Sequence, residues 1–246
     1  MSGTRRTSEG HGRAGSVLSG IAVALGCVLF LGGFLWGAIV YQPYTVPTDS
    51  MSPTIGAGDR VLAQRVDGSE IKRGDVVVFR DKSWGDMPMV KRVVGIGGDR
   101  VACCTDGKLT VNGKKIEEPY LQDGQSASLT GIKATTVPEG RLFFLGDERS
   151  GSLDSTVHLD DIQHGSVART AVQGRVDVVA WPMDGMLPKP TGFEELPGGI
   201  SQPGPLKLMV TAVVVGALLV FAGAAYGPIA QRMRRSRTRS AEPARV

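Results

Sequence analysis

Two long stretches without a single charged residue bracket this chain, and they decide what it can fold into. No Asp, Glu, Lys or Arg occurs between Arg13 and Asp49, and residues 17–40 are almost wholly apolar. At helical rise such a run crosses a hydrocarbon layer of roughly 30 Å. Residues 208–230, between Lys207 and Arg232, form a second run rich in Val, Ala, Leu and Gly. Uncharged stretches of this length mark membrane-spanning helices rather than soluble cores. Pro228 is expected to trim the last turn of the second. The first run is longer than the apolar core of a cleavable leader and continues into Trp36, Tyr41 and Tyr44, so it reads as an uncleaved anchor.

Charge then orients the chain. Residues 1–16 carry a net +2, the tail from Arg232 carries +5 and Lys207 adds +1, so the overall +4 leaves −4 for the segment between the spans. Basic flanks stay in the cytoplasm, which predicts both termini inside and the middle outside. The tail Arg232-Met233-Arg234-Arg235-Ser236-Arg237 reads as a topology and anionic-lipid signal rather than a nucleic-acid patch, because it directly follows a span. Of the three cysteines, Cys27 is expected as a small buried residue in the first helix. Cys103 and Cys104 are adjacent, a geometry that seldom closes a disulfide without strain. There is no paired CxxC, and His11, His158 and His164 form no ligand motif, so neither metal nor cofactor is expected.

The predicted organisation is a basic tail (1–16), a span (17–41), an extracytoplasmic domain (42–187), a Pro/Gly-rich tether (188–205), a second span (206–230) and a basic tail (231–246). Within the domain, residues 60–66, 75–80, 89–96, 99–103, 109–112, 114–117, 142–145 and 167–181 are short β-branched runs separated by Gly, Asp or Pro. Asn112-Gly113 is the strongest hairpin signal. Residues 120–140 are polar and poorly patterned and predict a loop or a small elaboration. No long helical period occurs in this region. The fold class is therefore mainly β, an antiparallel barrel or folded sheet flanked by two transmembrane helices.

Two residues point to chemistry. Ser50 opens Ser50-Met51-Ser52-Pro53-Thr54, and Lys91 lies in the strand-like run Pro88-Met89-Val90-Lys91-Arg92-Val93-Val94. Period-two alternation places Lys91 on the face of Met89 and Val93, among apolar neighbours. Desolvation there lowers its pKa, and a value of about 7 to 8 would leave a useful fraction neutral and able to take a serine's proton. Read locally, each residue has a plainer role, a turn serine and a strand lysine reaching solvent.

Four ordered blocks change that balance: Pro47-Thr48-Asp49-Ser50-Met51-Ser52-Pro53-Thr54; Gly58-Asp59-Arg60-Val61-Leu62-Ala63; Lys91-Arg92-Val93-Val94-Gly95-Ile96-Gly97-Gly98-Asp99, continuing to the Asn112-Gly113 hairpin; and Gly146-Asp147-Glu148-Arg149-Ser150-Gly151-Ser152-Leu153-Asp154-Ser155. Following an anchor helix, they resemble bacterial type I signal peptidases, membrane serine proteases of the S26 type that remove signal peptides from exported proteins. The resemblance implies Ser50 as nucleophile and Lys91 as general base, with Thr48 and the Ser50 N–H as oxyanion donors. It implies that Ser152 orients the lysine and that Asp147 and Arg92 form an ion pair beside the site. Tyr44, Val46, Met89 and Val90 would line shallow pockets selecting small-x-small (Ala-x-Ala) sites. The implied partners are secretory preproteins and the lipid bilayer, at the cytoplasmic membrane. Two positions depart from the pattern: Glu148 stands where Asn is usual and Thr156 where Arg is usual. Asp154 thus lacks its expected arginine unless Arg149 or Arg169 substitutes.

Competing readings are weaker. Ser69-Glu70-Ile71-Lys72 fits S-x-x-K, but the companion S-D-N and K-T-G motifs are absent. A triad using His158 or His164 has no motif around either histidine, and two spans argue against self-cleaving repressors with Ser/Lys chemistry. The contrasting class is a catalytically impaired or non-enzymatic membrane-anchored β module, and what separates the two is whether Ser50 and Lys91 converge.

Overall fold

The computed structural model describes residues 10–122 and 132–240. Two helices, α1 (Gly10–Val40) up to Ile39 and α2 (Leu206–Ser240), form one unit, and Val40–Gly204 forms the other. Both helices are long and apolar enough to cross a membrane. Within the helical unit small residues meet at seven-residue spacing. The Ser19 hydroxyl donates to the Gly223 carbonyl at 2.7 Å, and a Cβ on Gly26 would lie 2.7 Å from the Gly216 carbonyl oxygen. Small side chains let two backbones approach where no hydrophobic effect drives them together. Cys27, one residue past this seam, is exposed rather than buried, because Gly26 occupies the contact face. Helix α2 continues through Pro228 to Ser240. The proline's missing N–H removes one bond from the ladder, and the helix absorbs it.

The β unit contains β1 (Tyr41–Thr45), β2 (Arg60–Gln64), β3 (Val76–Phe79), β4 (Met89–Ile96), β5 (Arg100–Thr105), β6 (Lys108–Val111), β7 (Lys114–Lys115), β8 (Thr135–Thr136), β9 (Arg141–Leu145), β10 (Val167–Ala168), β11 (Val172–Trp181) and β12 (Gly185–Met186). The main sheet runs β1-β2-β11-β3-β4-β9-β10, with β12 on β11, and every pairing in it is antiparallel. A smaller sheet runs β7-β6-β5-β8. The expected mainly β antiparallel fold with two apolar helices is what the chain adopts. Strand β4 coincides with its predicted run, and Asn112 and Gly113 both take positive φ in the β6–β7 hairpin.

The sheet's two faces bury different clusters. One holds Val46, Met51, Ile55, Val61, Val76, Val78, Val90, Val176 and Val179. The other holds Ile71, Val77, Phe79, Trp84, Val93, Leu142, Phe144 and Val167. A third cluster joins the smaller sheet to the ends of β4 and β9.

Two further expectations are corrected. The run 167–181 divides into two strands around a short helical turn, Arg169–Ala171. The stretch 188–205 is a docked strap rather than a free tether. Phe193 is fully buried in the third cluster, Arg73 donates to the Pro197 carbonyl at 2.7 Å, and Ser201 donates to Asp75 at 2.7 Å. Apolar anchors among the Pro and Gly residues give the strap burial that composition alone conceals. Cys103 and Cys104, whose redox state the sequence leaves open, are joined as a disulfide. Adjacent strand residues ordinarily face opposite ways, but the β5–β6 register is irregular between Ala102 and Thr105. Of the polar run 120–140, residues 123–131 lie outside the described residues, and Thr135 and Thr136 supply β8 to the smaller sheet.

Candidate active site

Ser50 lies in the loop between β1 and β2. Met51 and Ile55, both fully buried and bridged to one another, anchor that loop to the sheet. Its outer edge is fixed by carboxylates: Asp49 accepts the Ala57 N–H at 2.8 Å, and Asp59 accepts the Gly56 N–H at 2.8 Å. Short acidic side chains bonded to nearby backbone are what hold such turns. The Thr48 hydroxyl lies 3.3 Å from the Ser50 hydroxyl, on the same side of the loop.

Lys91 comes from the middle of β4, opposite Val77 on β3. It is only 4% exposed, and its Nζ is 2.7 Å from Ser50 Oγ. Burial draws the amine's pKa from 10.5 down to about 8, against the opposing pull of the Asp154 and Asp147 carboxylates. Desolvation wins because an ammonium taken from water loses more than two partly screened carboxylates return. The amine is thus neutral in useful amount near neutral pH, within reach of a hydroxyl proton.

The next residue turns to the other face. Arg92 grips Asp147 with two bonds, Nε to Oδ1 at 2.8 Å and Nη2 to Oδ2 at 2.6 Å, and both groups are buried. Burial works against the charge on Arg92, but Asp147 outweighs it and raises the guanidinium's pKa. Thr54, four residues after Ser50, donates to the same carboxylate at 2.5 Å. The strand carrying Lys91 and the loop carrying Ser50 are therefore tied to one buried anion.

The third side is the loop that follows β9. At its start, a Cβ on Gly146 would lie 2.5 Å from the Ser50 carbonyl oxygen and collide with Ser152, so glycine permits this close approach. The Glu148 N–H donates to the Ser50 carbonyl at 3.2 Å. Asp154, 1% exposed, accepts the Gly146 N–H at 2.9 Å, the Thr156 N–H at 3.0 Å and the Thr156 hydroxyl at 2.8 Å. Neither arginine considered as a substitute partner reaches it. Arg149 pairs with Glu118, and Arg169 donates to the carbonyls of Gly68 and Ile71. Thr156 supplies by hydrogen bonding part of what a cation would supply by charge. Ser152 Oγ is buried without a hydrogen-bond partner, so the expected bond from Ser152 to the lysine is not formed in this geometry.

The expected pocket residues separate. Val46 and Val90, with Tyr44 packed against them, share the cluster on one face of the sheet. Met89 packs with the cluster on the other face, because neighbouring strand residues point opposite ways. His158 stacks on Trp84 with centroids 4.4 Å apart and lies 2.9 Å from Asp161. Among the described residues no group of three or more His, Cys, Asp or Glu is arranged to hold a metal. Local sequence patterns did not single out Thr54, Glu118, Tyr120 or the buried role of Arg149. Their only signal is polar residues inside a stretch whose neighbours are apolar strands.

A family profile described as "Signal peptidase, peptidase S26" matches residues 17–181. Signal peptidase I of Bacillus licheniformis is 37% identical over 159 residues, covering 61% of this chain and 83% of its own. Signal peptidase I of Mycobacterium tuberculosis is 32% identical over 218 residues, covering 68% and 71% respectively. A crystal structure of a signal peptidase I from Enterococcus faecalis is similar over 42% of this chain and 94% of its own, at 27% identity and a TM-score of 0.33. The profile spans the loop of Ser50, the strand of Lys91 and the loop after β9, and on that extent the chain belongs to the signal peptidases of peptidase family S26 and is a serine endopeptidase.

Proposed function

We propose that this protein cleaves signal peptides from exported preproteins after small-x-small sites, using Ser50 as nucleophile and neutral Lys91 as general base. The observation that carries this reading is the 2.7 Å approach of a buried amine to the serine hydroxyl. As Ser50 Oγ attacks the scissile carbonyl, Lys91 Nζ takes its proton and then passes it to the departing amine. The acyl-enzyme is released when the same amine, neutral again, deprotonates a water. The developing oxyanion would be met by the Ser50 N–H and the Thr48 hydroxyl. Donors of this kind contribute roughly 3 to 4 kcal/mol where one has been removed from a serine protease.

Asp147 and Arg92 hold the two catalytic segments in register, and Asp154 fixes the loop behind them. Ser152 Oγ, buried without a hydrogen-bond partner, is a candidate to orient the lysine. Val46, Val90 and Tyr44 fit the walls of a shallow apolar pocket that admits Ala and rejects larger side chains by overpacking. Met89 lies on the other face, the one that period-two alternation gives to Lys91, and stays a candidate on that side. An extended substrate would add main-chain bonds along a strand edge. The charge distribution supports a two-pass arrangement with both termini in the cytoplasm and the β unit outside, where bilayer-held preproteins emerge.

The test is processing of a preprotein bearing an Ala-x-Ala site by the full-length protein in detergent. Ser50→Ala and Lys91→Met should insert normally and cleave nothing above background. Wild-type turnover by either variant rejects the pair and favours a non-enzymatic β module or another nucleophile.

A further inference from the structure

Behind the proposed catalytic pair lies a chain of buried charges that begins in a segment with no part in the reaction. Glu118 and Tyr120 follow β7 of the smaller sheet. The Arg149 and Glu118 side chains are 0% and 1% exposed and form an ion pair. Arg149 Nη1 lies 3.0 Å from Glu118 Oε2, and its Nε donates to the Gly146 carbonyl at 3.1 Å, at the point where β9 passes into the loop beside Ser50. The Tyr120 hydroxyl donates to Glu118 at 2.7 Å. Burial, and then the charge of Glu118, push that hydroxyl's pKa well up, so it stays a donor. The ring of Tyr120 lies under Arg92, with the guanidinium carbon 3.7 Å from its centroid. Arg92 in turn holds Asp147 and sits next to Lys91.

We propose that Glu118 and Tyr120 are positioning residues for the Ser50 and Lys91 pair, setting through Arg149 and Arg92 the geometry of the loop after β9 and of the strand that carries the base. This rests on the Ser50/Lys91 reading above. The physical case is one of direction rather than stability. A fully buried ion pair is often no more stabilising than apolar residues of the same volume. What apolar residues do not replace is the bond from Arg149 to the Gly146 carbonyl, or a flat ring that accepts a guanidinium on its face. A misplacement of about 1 Å at a catalytic centre costs on the order of 10²-fold in rate.

The experiment measures kcat, KM and Tm of the full-length protein in detergent on the Ala-x-Ala preprotein. The double variant Glu118→Leu with Arg149→Met removes both members of the ion pair together. It strands the Tyr120 hydroxyl and the Gly146 carbonyl, so Tm should fall by several degrees with unfolding still cooperative, while kcat falls by about tenfold or more and KM changes by less than about threefold. If kcat stays at the wild-type value, the pair is a structural filler and the proposal is wrong. A second pair of variants decides the matter should the double variant fail to fold. Tyr120→Leu removes the ring beneath Arg92 and should lose about tenfold or more in kcat, whereas Tyr120→Phe keeps the ring and should lose distinctly less. Equal kcat in Tyr120→Leu and wild type overturns the proposal. Ser50→Ala measured alongside separates the two readings: if it is active, the catalytic assignment has failed; if it is inactive while the Glu118 and Tyr120 variants turn over normally, only the positioning role has.

Discussion

Replacing Lys91 by Met should abolish cleavage and, near neutral pH, make the protein more stable. The magnitude follows from the amine's environment. Its pKa falls from 10.5 in the unfolded chain to about 8 in the folded one. At 1.36 kcal/mol per pKa unit, holding this lysine in its wall costs about 3 kcal/mol wherever both states would be protonated, that is below pH 8. The cost shrinks between pH 8 and 10.5, because the unfolded chain still gains a proton there while the folded one does not, and it vanishes above that window. Methionine fills a similar volume without a charge. It gives up the bond to Ser50, a loss of about 1 kcal/mol. The net expectation is a gain of about 2 kcal/mol at pH 7, equivalent to a Tm rise of about 4 to 8 °C for a protein of this size. At pH 10 the remaining cost of the lysine is under about 1 kcal/mol and the difference between the proteins should close. Unfolding of full-length wild-type and Lys91→Met protein in detergent, followed by tryptophan fluorescence at both pH values, checks this. A variant no more stable than wild type at pH 7, or a gap that is unchanged at pH 10, would refute the claim that Lys91 is held against its preference for water.

Two further perturbations follow from the same geometry. Thr48→Val should lose about 10² to 10³ in kcat with little change in Tm, if its hydroxyl meets the oxyanion; unchanged turnover removes it from the site. The Asp154 carboxylate pulls the Lys91 pKa upward, so Asp154→Asn should move the ascending limb of kcat/KM to lower pH. A shift to higher pH, or none, would mean that Asp154 is not felt by the amine.

Much of this was legible in the residues, and what was not has identifiable causes. Strand β4 was readable because eight residues of β-branched pattern lie between Pro88 and the Gly97-Gly98 turn. Strand β1 was not, since Pro43 falls inside it and its tyrosines continue the apolar helix before it. Such a proline is tolerated because β1 is the edge of its sheet. Strands β8 and β12 hold two residues each, too few to show a period. The strap was misread because Phe193 and Leu196 stand alone among Pro and Gly, and only burial shows that they are anchors. At the site, Ser50 and Lys91 could be named from motif order. Their buried supports could not, because Glu118, Tyr120 and Arg149 come from segments that meet only in the fold and read locally as a polar loop. The missing arginine at position 156 was visible, but its remedy, a threonine hydroxyl on Asp154, needed the geometry.

The proposed chemistry turns on the protonation of Lys91, and the pH dependence of kcat/KM on the Ala-x-Ala preprotein, measured from pH 6 to 10, reads it most directly. Lys91 as general base predicts a single ascending limb centred near pH 8, with a plateau above it. A profile flat across that range, or a limb that disappears when His158 is replaced, would contradict it.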